Sequence, residues 1–131
     1  MEAASIASGL ITTAKLASTL QQEILTVPVS FETGEIGGYK IEMPYPGTIV
    51  KISAYVTKLI EATNDGSITA TDNAAATMAA LTMTAGTAIG TAVTDSPTTN
   101  NTFVAGDVLT FTTAKVTAGG KALITLKITR S

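Results

Sequence analysis

The sequence predicts an all-β fold, an antiparallel β-sandwich of about eight short strands with a jelly-roll-like layout, preceded by one short N-terminal helix or arm. Three observations predict it. Apolar residues alternate with polar ones in segment after segment, as half-buried strands require. Thr holds much of the surface that Lys and Glu usually hold, and its branched side chain suits a strand better than a helix. Gly, Pro and Asn-Asp clusters punctuate the chain at regular intervals.

Residues 11–25, ITTAKLASTLQQEIL, are the exception to the strand pattern. Leu16, Leu20 and Ile24 recur every fourth residue with Ala17 beside them, opposite Lys15, Gln21 and Gln22. That spacing gives a helix with one narrow apolar face, and Thr12 or Thr13 can cap its start. About three turns are marginal alone in water, so the face must pack on its own domain or on another chain. Residues 1–25 therefore read as an arm or helix for anchoring or oligomerisation, and residues 26–131 as the sandwich domain.

Strand signals begin at Val27, Val29 and Phe31, which alternate with Pro28 and Ser30. Pro28 donates no hydrogen bond, which places this strand at a sheet edge or its first residues outside the sheet. After the Gly37-Gly38 turn, Tyr39, Ile41 and Met43 alternate, and Pro44, Pro46 and Gly47 make a rigid corner around Tyr45. The next run puts Val50, Ile52, Ala54 and Val56 on one face and Lys51, Ser53, Tyr55 and Thr57 on the other. Asn64-Asp65-Gly66 predicts a hairpin turn. Residues 75–81 read as a helical turn or a loop, followed by short strands around residues 81–84 and 88–94. After the Gly119-Gly120 turn, Ala122, Ile124, Leu126 and Ile128 form the cleanest alternating face.

A chain of 131 residues suits one domain. Its hydrophobic residues make up 45% but its aromatics only 5%, so Ile, Val, Leu and Ala must build the core. There is no His, Cys or Trp. Without His or Cys, the usual transition-metal sites, Cys nucleophiles and Ser-His-Asp chemistry are excluded, and no disulfide can form. A net charge of -2 with eight scattered Lys and Arg gives no basic patch for nucleic acid. No segment approaches the about eighteen apolar residues of a membrane span, and Glu2 stands where a signal peptide needs positive charge. The expectation is a soluble protein made in the cytoplasm, with no cofactor, no nucleic-acid partner and no membrane partner.

Motifs that carry chemistry elsewhere have plainer explanations here. AGGKA, residues 118–122, lacks the first Gly and the Ser or Thr of a phosphate-binding loop and reads as a turn. Asp65, Asp72, Asn73, Asp95 and Asp107 have the chemistry of calcium ligands but not the spacing, and turn formation accounts for them. Glu32, Glu35 and Glu42 are the nearest to a hydrolytic carboxylate pair, yet they flank a turn. Asn100-Asn101-Thr102 matches a glycosylation acceptor without a secretory signal. Tyr45 offers a ring to a sugar but reads better as a packed corner. An enzyme is not expected.

Two stretches resemble small virion proteins of tailed bacteriophages. ITTAKLASTLQ, residues 11–21, is similar to segments of phage fibre and head-fibre proteins that join trimeric elements. SPTTNNTFVAGDVLTFTTAKVTAGGKALITLKITR, residues 96–130, is similar to the C-terminal strands of phage capsid decoration, or cement, proteins, as in outline is Ile49 to Val56 followed by TKLIEATNDGSIT, residues 49–69. The resemblance implies a homotrimer of β-sandwiches on the outer capsid surface of the virion, binding the major capsid protein and bridging its subunits without catalysis. Leu16, Leu20 and Ile24 are then the expected contacts with other subunits or the capsid. The alternative it implies is a head-fibre or tail-fibre tip that binds a host receptor or glycan.

Overall fold

A computed structural model describes residues 22–131, which form nine strands: β1 (Gln22–Ser30), β2 (Gly38–Glu42), β3 (Gly47–Lys58), β4 (Gly66–Thr71), β5 (Thr77–Met83), β6 (Ala92–Asp95), β7 (Thr102–Phe103), β8 (Val108–Lys115) and β9 (Lys121–Arg130). One sheet runs β1-β9-β3-β6, with the two-residue β7 also paired to β3; the other runs β2-β8-β4-β5. Every pairing is antiparallel. Apart from the β4–β5 and β6–β7 neighbours, each strand passes the chain to the opposite sheet, so most links cross the sandwich.

Alternation explains the layers. In β9, Ala122, Ile124, Leu126 and Ile128 are at most 1% exposed while the residues between them face outward. Leu109 and Phe111 of β8, Ile68 and Ala70 of β4, and Ile52, Ala54 and Val56 of β3 close the same core, with Phe31 wholly buried just past β1. Burying each large aliphatic side chain contributes about 1.5–3 kcal/mol. β9 and β3 in one sheet and β8 and β4 in the other are flanked on both sides, and the most regular alternation falls on β9, β8 and β4.

Pro28 sits on β1, an edge strand whose only partner among the described residues is β9. The expected edge position holds. Tyr39, Ile41 and Met43 also keep their predicted alternation, with Met43 fully buried.

Four expectations need correction. The helix expected over residues 11–25 does not extend to its end: Gln22–Leu25 belong to β1, where Leu25, Val27 and Val29 continue one alternation opposite Leu126, Ile124 and Ala122. Ladder bonds along β9 outweigh a weak helical face there, and the boundary drawn between residues 25 and 26 falls inside a strand. Residues 11–21, with Leu16 and Leu20, lie outside the described residues.

Asn64-Asp65-Gly66 is no hairpin turn, because β3 and β4 lie in different sheets. Gly66 is already the first residue of β4, and a Cβ there would stand 2.9 Å from the Phe31 ring. The glycine serves a close approach rather than a positive φ. The tight hairpin is instead β4–β5, where Asp72 Oδ1 accepts the Ala74 and Ala76 N–H groups at 2.9 and 2.8 Å and Ala75 takes a φ of 64°.

Residues 77–81 are neither helix nor loop but part of β5, placed by pairing with β4. Finally, Ile49 rather than Val50 takes the buried position on β3. A bulge between Ile49 and Lys51 shifts the register by one residue, and the alternation upstream of it is inverted.

Candidate interaction surfaces

Ile24 is the one predicted contact residue within the described region. It stands on the outer face of β1, 64% exposed, in register with Lys127 of β9. Beyond it the same face shows three rows across β1, β9 and β3: Ile24, Lys127 and Lys51; Thr26, Thr125 and Ser53; Pro28, Leu123 and Tyr55. A fourth row pairs Lys121 with Lys58 and Ser30. Tyr55 is 43% exposed although it lies on a central strand. The face therefore has an apolar and hydroxyl-bearing middle with lysines at both ends.

Lys58 forms an ion pair with Glu32, and that bond, helped by Lys58's charge, holds the Glu32 carboxyl below the usual carboxylate range. No carboxylate pairs with Lys51 or Lys127 among the described residues, whose ion pairs are Lys58–Glu32, Lys115–Glu61 and Arg130–Glu23. Sequence reasoning put Lys51 on an outer face but missed its juxtaposition with Lys127, which needs the β3–β9 register to be seen.

The opposite outer face is different in kind. Thr69 and Thr71 of β4, Thr110 and Thr112 of β8, and Thr82 of β5 cover it, with charge only at Lys40 and Glu42 of β2. A shallow cleft of about 460 Å³ at its end is lined by Ile36, Asp65, Ser67, Ala114, Lys115 and Val116, with Val116 91% exposed.

The remaining candidates are held in structural bonds. Asp65 Oδ1 accepts the Ala85 N–H at 2.8 Å, Asn73 Oδ1 the Val108 N–H at 2.8 Å, and Asp107 Oδ2 the Val104 N–H at 3.0 Å. Asp72 in its hairpin and Asp107 form turns, as expected, whereas Asp65 and Asn73 tie segments remote in sequence; Asp95 lies in β6. Among the described residues no group of three or more acids is placed to hold a metal ion. Glu35 and Glu42 are exposed, and Glu32 is engaged by Lys58. The Asn100 amide donates to the Thr77 carbonyl at 2.9 Å, tying its loop to β5.

Lys115 has a fully buried side chain, 3.5 Å from Glu61 and donating to the Thr117 carbonyl at 2.8 Å. Hydrogen bonds from the Thr63 hydroxyl and N–H, then from Lys115, hold the Glu61 carboxyl below its ordinary range. Tyr45 packs against the core with Phe103 at 6.4 Å and the Arg130 guanidinium 4.2 Å above its ring. Its hydroxyl has no hydrogen-bond partner among the described residues, and burial pushes its pKa up. The corner is packed, and a ring so covered is not presented to a sugar.

The described residues thus define a two-sheet antiparallel β fold with contrasting outer faces. No protein-family model matches the sequence, and no curated protein matches it. Among solved structures, the chain is similar to a chain of the cyanophage Pam1 capsid asymmetric unit, at 12% identity and a TM-score of 0.46, over 92% of this chain and 98% of that one. It is also similar to the carbohydrate-binding module CBM36 in complex with calcium and xylotriose, at 14% identity and a TM-score of 0.37, over 77% of this chain and 75% of that one. Both likenesses are distant, and neither carries a function over to this chain.

Proposed function

We propose that this chain is a structural virion protein, a capsid decoration or cement protein that binds the outer surface of a phage head as a homotrimer and stabilises it. The observation that carries the reading is the resemblance of residues 96–130 to the C-terminal strands of such proteins. Those residues supply β7, β8 and β9, and so one of the two interior strands of each sheet. The strand order, β1-β9-β3-β6 against β2-β8-β4-β5, supports reading the sandwich as a jelly roll, a layout used by viral capsid and lectin domains. In this reading the major capsid protein is the partner, and the residues ahead of β1 act as an arm whose Leu16 and Leu20, together with Ile24 on β1, contact neighbouring subunits or the shell.

Light scattering on the purified full chain, followed by sedimentation with emptied, expanded heads of the parent phage, tests the proposal. A trimer that binds heads in a fixed copy ratio is expected. A monomer that ignores heads refutes it.

The second reading is a head-fibre or tail-fibre tip, favoured by the resemblance of residues 11–21 to fibre segments. It predicts that labelled protein binds host cells or their glycans, which a decoration protein does not.

A further inference from the structure

β3 and β9 contain five cationic residues, Lys51, Lys58, Lys121, Lys127 and Arg130, and no acid, in a chain whose net charge is -2. Four of them stand as like-charged register pairs, Lys51 opposite Lys127 and Lys58 opposite Lys121. Like charges directly opposite each other destabilise a sheet. Glu32 relieves one pair, and no carboxylate among the described residues relieves the other. A fold gains nothing internally from this arrangement, whereas a partner that supplies carboxylates removes the repulsion on binding.

We propose that the outer face of the β1-β9-β3-β6 sheet is a docking surface for a flat, carboxylate-rich protein surface. The inference deepens the decoration reading and rests on it in naming that surface as the shell's. Between the lysine pairs lie Tyr55, Leu123 and Pro28, with Thr125 and Thr26 beside them and Ser53 buried in the same row. A nucleic acid gains from an unbroken basic stripe and leaves such an apolar strip unburied; a protein surface covers it, and Tyr is favoured at the centre of protein interfaces. Lys121 and Lys127 stand six residue steps apart on β9, about 20 Å, and four strands span about 19 Å, so the face offers about 400 Å². That is half of the about 800 Å² per partner of a standard complex. A single copy therefore binds weakly and with strong salt dependence, and several copies on one particle bind jointly.

The test measures binding of the purified full chain to fluorescent poly-L-glutamate by anisotropy at low salt, with duplex DNA as the competing probe. The double variant Lys51→Glu/Lys127→Glu is expected to lose affinity by about tenfold or more, with Lys40→Glu on the other sheet close to wild type. The milder Lys51→Thr/Lys127→Thr pair keeps strand-favouring side chains, loses binding as well, and raises the thermal midpoint by removing the repulsion. No wild-type binding to poly-L-glutamate, tighter binding to DNA, equal effects of the Lys51/Lys127 and Lys40 reversals, or a lowered midpoint in the Thr pair each overturns the proposal. Heads that bind wild type and the Lys51/Lys127 reversal equally overturn this assignment and leave the decoration reading standing. Heads that ignore a wild-type protein which binds poly-L-glutamate overturn only the decoration reading.

Discussion

Gly66→Ala separates two explanations for one glycine. In the turn explanation Gly66 is needed for its backbone freedom; in the structure it begins β4 without a positive φ, and its Cα faces the ring of Phe31. An added Cβ would lie 2.9, 3.1 and 3.3 Å from three ring carbons, and Phe31 is 0% exposed, so the ring must shift within the core to make room. Overpacking of this kind costs about 1–3 kcal/mol. For a domain of this size that lowers the thermal midpoint by about 4–12 °C. Urea unfolding followed by circular dichroism, at one fixed protein concentration because assembly couples to stability, measures the cost. Phe31→Leu opens space, so Gly66→Ala should cost at least about 0.5 kcal/mol less in that background. Gly86→Ala is the control: its φ is 79° and nothing lies within 4 Å of the added carbon. That change should cost about 1 kcal/mol in either background, from backbone conformation alone. A Gly66→Ala protein as stable as wild type, or one equally destabilised with Phe31 and with Leu at that position, refutes the close-approach account.

Glu32 and Glu61 both have carboxyl groups held below the ordinary value of 4.5, so each contributes stability that is complete above that pH and lost as acid protonates the folded state. Thermal midpoints measured down a pH series should fall on the acid side of 4.5, and less steeply in Glu32→Gln and Glu61→Gln. Lys115→Met should change stability by less than about 1 kcal/mol, because a buried ammonium is replaced by an apolar chain while Glu61 keeps its Thr63 donors. Glu61→Ala should cost more, since it removes the carboxylate beside a wholly buried Lys115; the same urea assay compares them. Phe111→Ala, at a fully buried position on β8, should cost about 3–5 kcal/mol. If Leu16 makes the proposed subunit contact, Leu16→Asp should lower the mass seen by light scattering while leaving the sandwich's circular dichroism intact, because it brings an unpaired charge to that contact.

The parts of the fold legible in the sequence were those where one face is buried along a whole strand. Ala122 to Ile128 alternate without interruption because β9 is central and every second residue meets the core. Pro28 marked an edge because a missing donor is tolerated only there. What was not legible depends on partners distant in sequence. The bulge at Val50 is set by the pairing of Ile49 with Ile128 and of Lys51 with Lys127, and no local pattern announces it. Residues 77–81 are small and ambiguous by propensity, and pairing with β4 makes them a strand. Gly66 looked like turn chemistry because Asn64 and Asp65 precede it, yet Asn64 accepts from the Thr117 hydroxyl at 2.6 Å and Asp65 from Ala85, both remote in sequence. Of the surface, Ile24 was identified as a contact residue from a helical spacing, and it stands exposed on a strand instead. The opposed lysines around it emerged only once the register of β3 against β9 was in hand.

The most direct measurement of the central claim is a cryo-electron microscopy map of the parent particle at a resolution that shows subunit outlines. The account predicts clusters of three sandwich-sized densities seated on the outside of the head, with the lysine-bearing sheet turned toward the shell. Sandwiches found only at the tips of tail fibres, or a particle carrying none, would contradict it.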